Sequence, residues 1–142
     1  MDTASPARLY CTLVGAVLVV AGILGFFWSA SFDTGDAVAG ESDEVLGLIA
    51  VNAWHNLVHL AIGLLLLAAA GSAARSAALG VGLLYVVLAI WGFLEVDNGF
   101  AVLIDLVPIN TEDNWLHLIL GLTGLAAGAA TPADTRVTPA AP

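Results

Sequence analysis

Four apolar runs dominate this 142-residue chain, at about Leu9–Trp28, Ala53–Ala70, Ala77–Leu94 and Trp115–Ala130. Each approaches the roughly 20 helical residues that cross about 30 Å of hydrocarbon. A chain this short cannot bury four such helices in a water-soluble core, because a small domain leaves much of its surface in solvent. Composition agrees, with 60% hydrophobic and 11% charged residues, where soluble domains run to about half apolar and a quarter charged. The surplus apolar surface is expected to face lipid. Two shorter apolar patches, Val45–Val51 and Phe100–Ile109, precede the second and fourth runs. Too short to cross, they are expected to lie at the membrane interface or to continue their helices outward.

The first run is not read as a cleaved signal peptide, although Arg8 precedes it and small residues follow at Ser29–Ser31. It is longer than the 7–15 residues of a signal core, and it belongs to an internal repeat. Orientation follows from the three arginines, Arg8, Arg75 and Arg136. Four crossings place all of them on one side, the cytoplasmic side by the positive-inside rule. The opposite loops carry Asp33, Asp36, Glu41, Asp43 and Glu44, then Glu95, Asp97, Asp105, Glu112 and Asp113. Trp28, Trp54, Trp91 and Trp115 lie at that same edge, as an aromatic belt would.

The repeat fixes the expected architecture. Gly15–Phe26 reads GAVLVVAGILGF and Gly82–Phe93 reads GLLYVVLAIWGF. The second half of each unit matches better: NAWHNLVHLAIG from Asn52 to Gly63 aligns with NTEDNWLHLILG from Asn110 to Gly121. Asn, Asn, His and Gly recur at a single step of 58 residues, from 52 to 110. Each unit holds two spans, so both copies insert the same way up. The expected fold is therefore all-α, a four-transmembrane-helix bundle of two tandem repeated hairpins. It is a parallel repeat with a pseudo-two-fold axis along the membrane normal. The expected organisation is a cytoplasmic tail over residues 1–8, hairpins over 9–71 and 77–130, and a disordered cytoplasmic tail over 131–142.

At about 100° per residue, Asn52, His55, Asn56, His59 and Gly63 share one helix face, as do Asn110, Asp113, Asn114, His117 and Gly121. Polar side chains in a lipid-embedded helix turn toward the bundle interior, so the two faces are expected to meet centrally, in the outer leaflet. Asn52 and Asn110 have ordinary roles as helix N-caps, and Glu112 and Asp113 sit where the helix dipole favours anions. Asn56 and Asn114 suit hydrogen bonding between helices, and Gly63 and Gly121 suit close helix approach. These four, with His59 and His117, are also the candidate ligand- or cofactor-binding residues. An ionisable group buried in a span is a functional-site hypothesis in itself, although a neutral imidazole bonded to a neighbouring Asn or carbonyl explains it equally. His59 and His117 could ligate haem b on both axial sides. Alternatively His55, His59, Asp113 and His117 offer a mixed N/O set to a divalent metal.

Several classes fall away. Twelve acids against three arginines and no lysine give a net charge of −9, which excludes nucleic acid as a partner because phosphate binding needs clustered cations. Cys11 is the only cysteine, so no internal disulfide and no cysteine-based metal site forms. No phosphate-binding loop, nucleophile elbow or pair of buried acids is present, so no catalytic residue is assigned and no enzyme is expected. The first and third runs are apolar apart from Thr12 and Tyr85, which argues against a wide aqueous channel.

The paired runs Asn52–Gly63 and Asn110–Gly121, with Gly-Phe closing the first and third spans, resemble the DUF4383 family of bacterial and archaeal membrane proteins. The resemblance covers about residues 9–130. It implies the four-span fold and a family-typical His/Asn face, and supplies no activity. Three functions are carried forward. The first is a non-enzymatic binding or interaction module of a prokaryotic plasma membrane, contacting a ligand, another membrane protein or its own copy through the central face. The second is a cofactor protein, and the third a small-solute or proton permease.

Overall fold

Ser5 and Pro6 start the first helix: the Ser5 side chain accepts from the Arg8 N–H, and Pro6 takes a position where no N–H is needed. A computed structural model describes residues 5–40, 43–97 and 99–133. Helix α1 runs Pro6–Gly25, followed by the short α2, Asp36–Gly40. Strands β1 (Asp43–Val45) and β2 (Ile49–Val51) lead into α3, Ala53–Ala69. Helix α4, Ala74–Glu95, is followed by β3 (Phe100–Leu103), β4 (Val107–Asn110) and α5, Thr111–Ala129. The protein is mostly helical, and α1 and α4 are each long and apolar enough to cross a membrane. Helix α3 is equally apolar and shorter. Leu13, Val17, Val20 and Leu24 lie exposed along α1, as Leu83, Leu84, Val87 and Ile90 do on α4.

One expectation is corrected. The patches Val45–Val51 and Phe100–Ile109 do not continue their helices outward. They form antiparallel hairpins, with Val45 paired to Ile49 and Leu103 to Val107, so the fold is not purely α. Both turns close through an N–H to carbonyl bond across four residues, Leu48 to Val45 and Leu106 to Leu103. Their central residues, Leu46 with Gly47 and Ile104 with Asp105, all have positive φ. That is the primed turn whose twist suits a hairpin. Helix α1 begins at Pro6 because of its Ser-Pro start. Thr131 Oγ1 accepts from the Ala7 N–H, donates to the Ala127 carbonyl and so ties the end of α5 to α1. Residues 1–4 and 134–142, with Arg136, lie outside the described residues.

Helix α1 packs on α3 and α4 on α5, each pair crossing at glycines. A Cβ on Gly15 would lie 2.9 Å from the Gly63 carbonyl oxygen, and one on Gly63 would lie 2.8 Å from that of Gly15. In the other pair, Gly82 and Gly121 stand in the same relation, at 2.9 Å both ways. Only glycine permits that approach. Arg8 Nε donates to the Ala70 carbonyl and Arg75 Nε to that of Thr131. Each arginine thus satisfies a carbonyl at the C-terminal end of the helix paired with its own, where free carbonyls and the helix dipole favour a cation. Between the pairs, Tyr10, Cys11, Leu18, Leu66, Ala78, Val81 and Tyr85 form one packed apolar core.

Candidate functional site

The hairpins cover the end of the helices that carries the polar faces. Asn52 caps α3 by accepting from the His55 N–H, and Asn110 caps α5 by accepting from that of Asp113. Each cap then reaches into the other half: Asn52 Nδ2 donates to the Leu106 carbonyl at 2.6 Å, Asn110 Nδ2 to that of Leu48 at 2.7 Å. One 58-residue step carries Asn52 to Asn110 and Leu48 to Leu106, so the two bonds are reciprocal. The next pair follows the same rule with different chemistry. His55 Nδ1 lies 3.1 Å from the Pro108 carbonyl, whereas Asp113 Oδ2 accepts from the Ala50 N–H at 3.2 Å. A carbonyl can only accept, so His55 carries its proton on Nδ1 and turns a bare Nε2 inward.

That nitrogen stands 3.1 Å from His59 Nε2. His117 arrives from α5, its ring stacked on Tyr85 at a centroid separation of 5.2 Å and an interplanar angle of 22°. One ligand nitrogen from each of His55, His59 and His117 falls within 4.8 Å of the others. The structure therefore brings together three of the four residues expected to offer a metal site. It does not bring Asp113, whose Oδ2 also accepts from the Asn110 N–H in a capping box. Asp113 lies ahead of the apolar run that begins at Trp115. Burial pushes its carboxyl above the ordinary carboxylate range, the two backbone N–H groups pull it back, and nearby Glu112 and Glu44 add to the rise.

The asparagines and glycines of the two faces do other work. Asn56 Nδ2 donates to the Ser29 carbonyl just past the end of α1. The Asn56 carboxamide lies against Gly25 and that of Asn114 against Gly92, closely enough that a Cβ on either glycine would overlap the amide oxygen. Gly63 and Gly121 are the helix-crossing glycines. None of these four residues lines the two clefts that flank the histidines.

The first cleft, about 320 Å³, lies between α1 and α5 under the β1–β2 hairpin. Its walls include Leu18, Ala21 and Leu24, then Val45, Leu46, Ile49 and Val51, then Asp113, Leu116 and His117. The second, about 150 Å³, lies between α4 and α3 under the β3–β4 hairpin. It is walled by Tyr85, Leu88 and Trp91, then Leu103, Ile104, Val107 and Ile109, then His55, Val58 and His59. Residue by residue these are the same positions of the repeat. Both walls are almost wholly apolar, and His59, Tyr85 and His117 line both clefts. The clefts converge on the imidazoles.

The DUF4383 family, a domain of unknown function, matches residues 8–130. The chain belongs to that family. No curated protein and no solved structure matches it. The matched span takes in all of this DUF4383 site, from Arg8 in the first turn of α1 to the end of α5.

Sequence reasoning missed Tyr85 and the hairpins. Tyr85 was visible as a polar residue in an otherwise apolar span, where its repeat partner is Leu18. The hairpins carry no Asn-Gly or Asp-Gly at the turn, so nothing short-range announced them. Tyr85 Oη and His117 Nδ1 are buried without a hydrogen-bond partner, as are Asn114 Oδ1 and Nδ2. Buried polar atoms in this condition mark a place where water, an ion or a ligand belongs. A haem held between His59 and His117 does not fit: His55 Nε2, 3.1 Å from His59 Nε2, takes the space that iron and macrocycle would need.

Proposed function

We propose that this DUF4383 protein is a non-enzymatic, four-span protein of a prokaryotic plasma membrane, with both termini cytoplasmic, that binds a small amphipathic molecule at its histidines. The four-span reading is supported by the length of α3 and α5, 17 and 19 residues, or about 26–29 Å at 1.5 Å per residue. It is supported too by Arg8 and Arg75 at one end of the helices and the capped, acid-rich hairpins at the other. The reciprocal contacts of the halves favour a two-fold axis along the membrane normal.

The observation that carries the ligand reading is the pair of repeat-equivalent clefts. Their apolar walls suit a hydrocarbon body, and their shared inner end offers imidazoles and the Tyr85 hydroxyl to one polar head. Permeation is less favoured, because Tyr10, Leu18, Leu66, Ala78 and Val81 fill the core between the histidines and the arginine end. Docking of another membrane subunit on these side chains is less favoured because His55 and His117 are buried beneath the hairpins.

Photolabelling tests the reading. In lipid nanodiscs, a long-chain alcohol bearing a diazirine should label Ile49, Leu88 and Val107, and unlabelled alcohol should compete it away. Labelling that does not saturate, and that spreads over the lipid-exposed Leu13 and Val17, would overturn it.

A further inference from the structure

We infer that His55, His59 and His117 form a binding site for one first-row transition-metal dication, with Zn²⁺ or Co²⁺ the best fit to three imidazoles. The inference rests on the reading of the histidine centre as a ligand site, and it names the atom that would hold the polar head. Three imidazole nitrogens about 2.0–2.1 Å from a tetrahedral ion lie about 3.3–3.5 Å from one another. The His55–His59 pair already stands at 3.1 Å, and the third nitrogen lies within 4.8 Å of both.

Three independent features favour a cation over a simple hydrogen bond. The Pro108 carbonyl fixes the His55 proton on Nδ1 and leaves Nε2 as a lone pair, and metal-bound histidines are oriented by this kind of outer contact. Two Nε2 atoms then face each other across a gap that a shared cation would satisfy from both sides. His117 is 7% exposed and has a ring nitrogen with no partner. A neutral histidine packed for structure alone would leave fewer such atoms unsatisfied.

The donor set also predicts what else the site takes. Three neutral imidazoles leave the full charge of a dication in place, and Asp113, which lines a cleft with His59 and His117, is engaged by the Ala50 and Asn110 N–H groups. Buried charge without a counter-ion is costly. The fourth tetrahedral position is therefore expected to hold water, hydroxide or an anionic head group, the open coordination that distinguishes a binding centre from a closed structural one.

These three histidines are all that the chain has, which makes the test clean, provided that the full chain is purified without a histidine tag. After chelator treatment in mild detergent, Co²⁺ should bind at one ion per chain and give the strong visible bands of tetrahedral cobalt, with Zn²⁺ displacing it. His55→Ala, His59→Ala and His117→Ala should each weaken binding by about 100-fold or more, while Thr12→Val, which removes only an exposed hydroxyl bonded to the Arg8 carbonyl, should bind as wild type does. Zn²⁺ should also raise the melting temperature of wild type and Thr12→Val but not of the histidine variants. A cooperative melting transition in each histidine variant without metal shows that it is folded, so that its missing shift reports a lost ligand. Folded wild-type protein with neither cobalt bands nor a zinc-dependent shift would overturn the metal site and leave the imidazoles as a hydrogen-bonded chain. Saturable alcohol labelling alongside that result would show that the ligand cleft survives without the metal.

Discussion

In the first half, the third residue of the helix after the hairpin is His55; in the second half that place holds Asp113. Each reaches across to the second strand of the opposite hairpin, one to the Pro108 carbonyl and the other to the Ala50 N–H. Leu18 and Tyr85 are the matching contrast one layer deeper. By comparison, Gly15, Gly25, Asn52, Asn56 and Gly63 recur unchanged as Gly82, Gly92, Asn110, Asn114 and Gly121, and all but the Asn56 and Asn114 side chains make the same bonds or close approaches. Residue type is kept where backbones touch or a helix must be capped, since no other side chain does those jobs at that spacing. It departs where the three imidazoles gather. A duplicated scaffold has thereby produced one lopsided centre: two donors from α3, one from α5, and an aromatic ring behind the last.

The contrast can be broken most severely at the glycines. Gly63→Leu and Gly121→Leu each force a side chain into a carbonyl less than 3 Å away. Overpacking usually costs about 1–3 kcal/mol, and here backbone rather than a flexible side chain must yield. Each variant should fail to give a monodisperse folded peak in detergent. Survival of one and loss of the other would show that the two helix crossings are not equivalent.

Next in size are the caps. Asn52→Ala and Asn110→Ala each remove an N-cap worth about 1 kcal/mol and a buried cross-half hydrogen bond worth about as much. Thermal unfolding should place the two variants within about 1 kcal/mol of each other, both below wild type. Because the two bonds interlock, the double variant should cost less or more than the sum of the singles. Strict additivity would mean that the hairpins are held independently.

What the sequence disclosed follows from the same division. The apolar runs, the duplicated Asn, His and Gly positions and the two caps are all periodic features of helices, legible because a polar residue inside such runs is rare. The hairpins were hidden because Leu46-Gly47 and Ile104-Asp105 are unusual turn pairs, and a β-branched residue at positive φ, as at Ile104, is an outlier that only the surrounding fold imposes. The clustering of His55 with His59 and His117, to the exclusion of Asp113, was equally hidden. Four residues on two equivalent faces cannot reveal which three converge, since that depends on hairpin backbone atoms at Ala50 and Pro108 that carry no side-chain signal.

The smallest expected effect lies in that excluded carboxylate. Burial holds the Asp113 carboxyl above the ordinary carboxylate range, so the native protein keeps a proton that the unfolded chain has already released. A carboxyl shifted in this direction adds stability that is fully present below its unfolded value and is lost as pH climbs through its folded value. Asp113→Asn keeps an oxygen to accept from Ala50 and Asn110 but has no proton to lose. Between about pH 4 and pH 7 the melting temperature of wild type should therefore fall by a few degrees relative to that of Asp113→Asn. An equal change at the matching position of the first half, His55→Asn, leaves Asp113 and its slope in place. If Asp113→Asn retained the full pH dependence, the carboxylate would be ionised in the folded protein at no cost. The difference between the two halves would then be one of ligand geometry alone, with no electrostatic share.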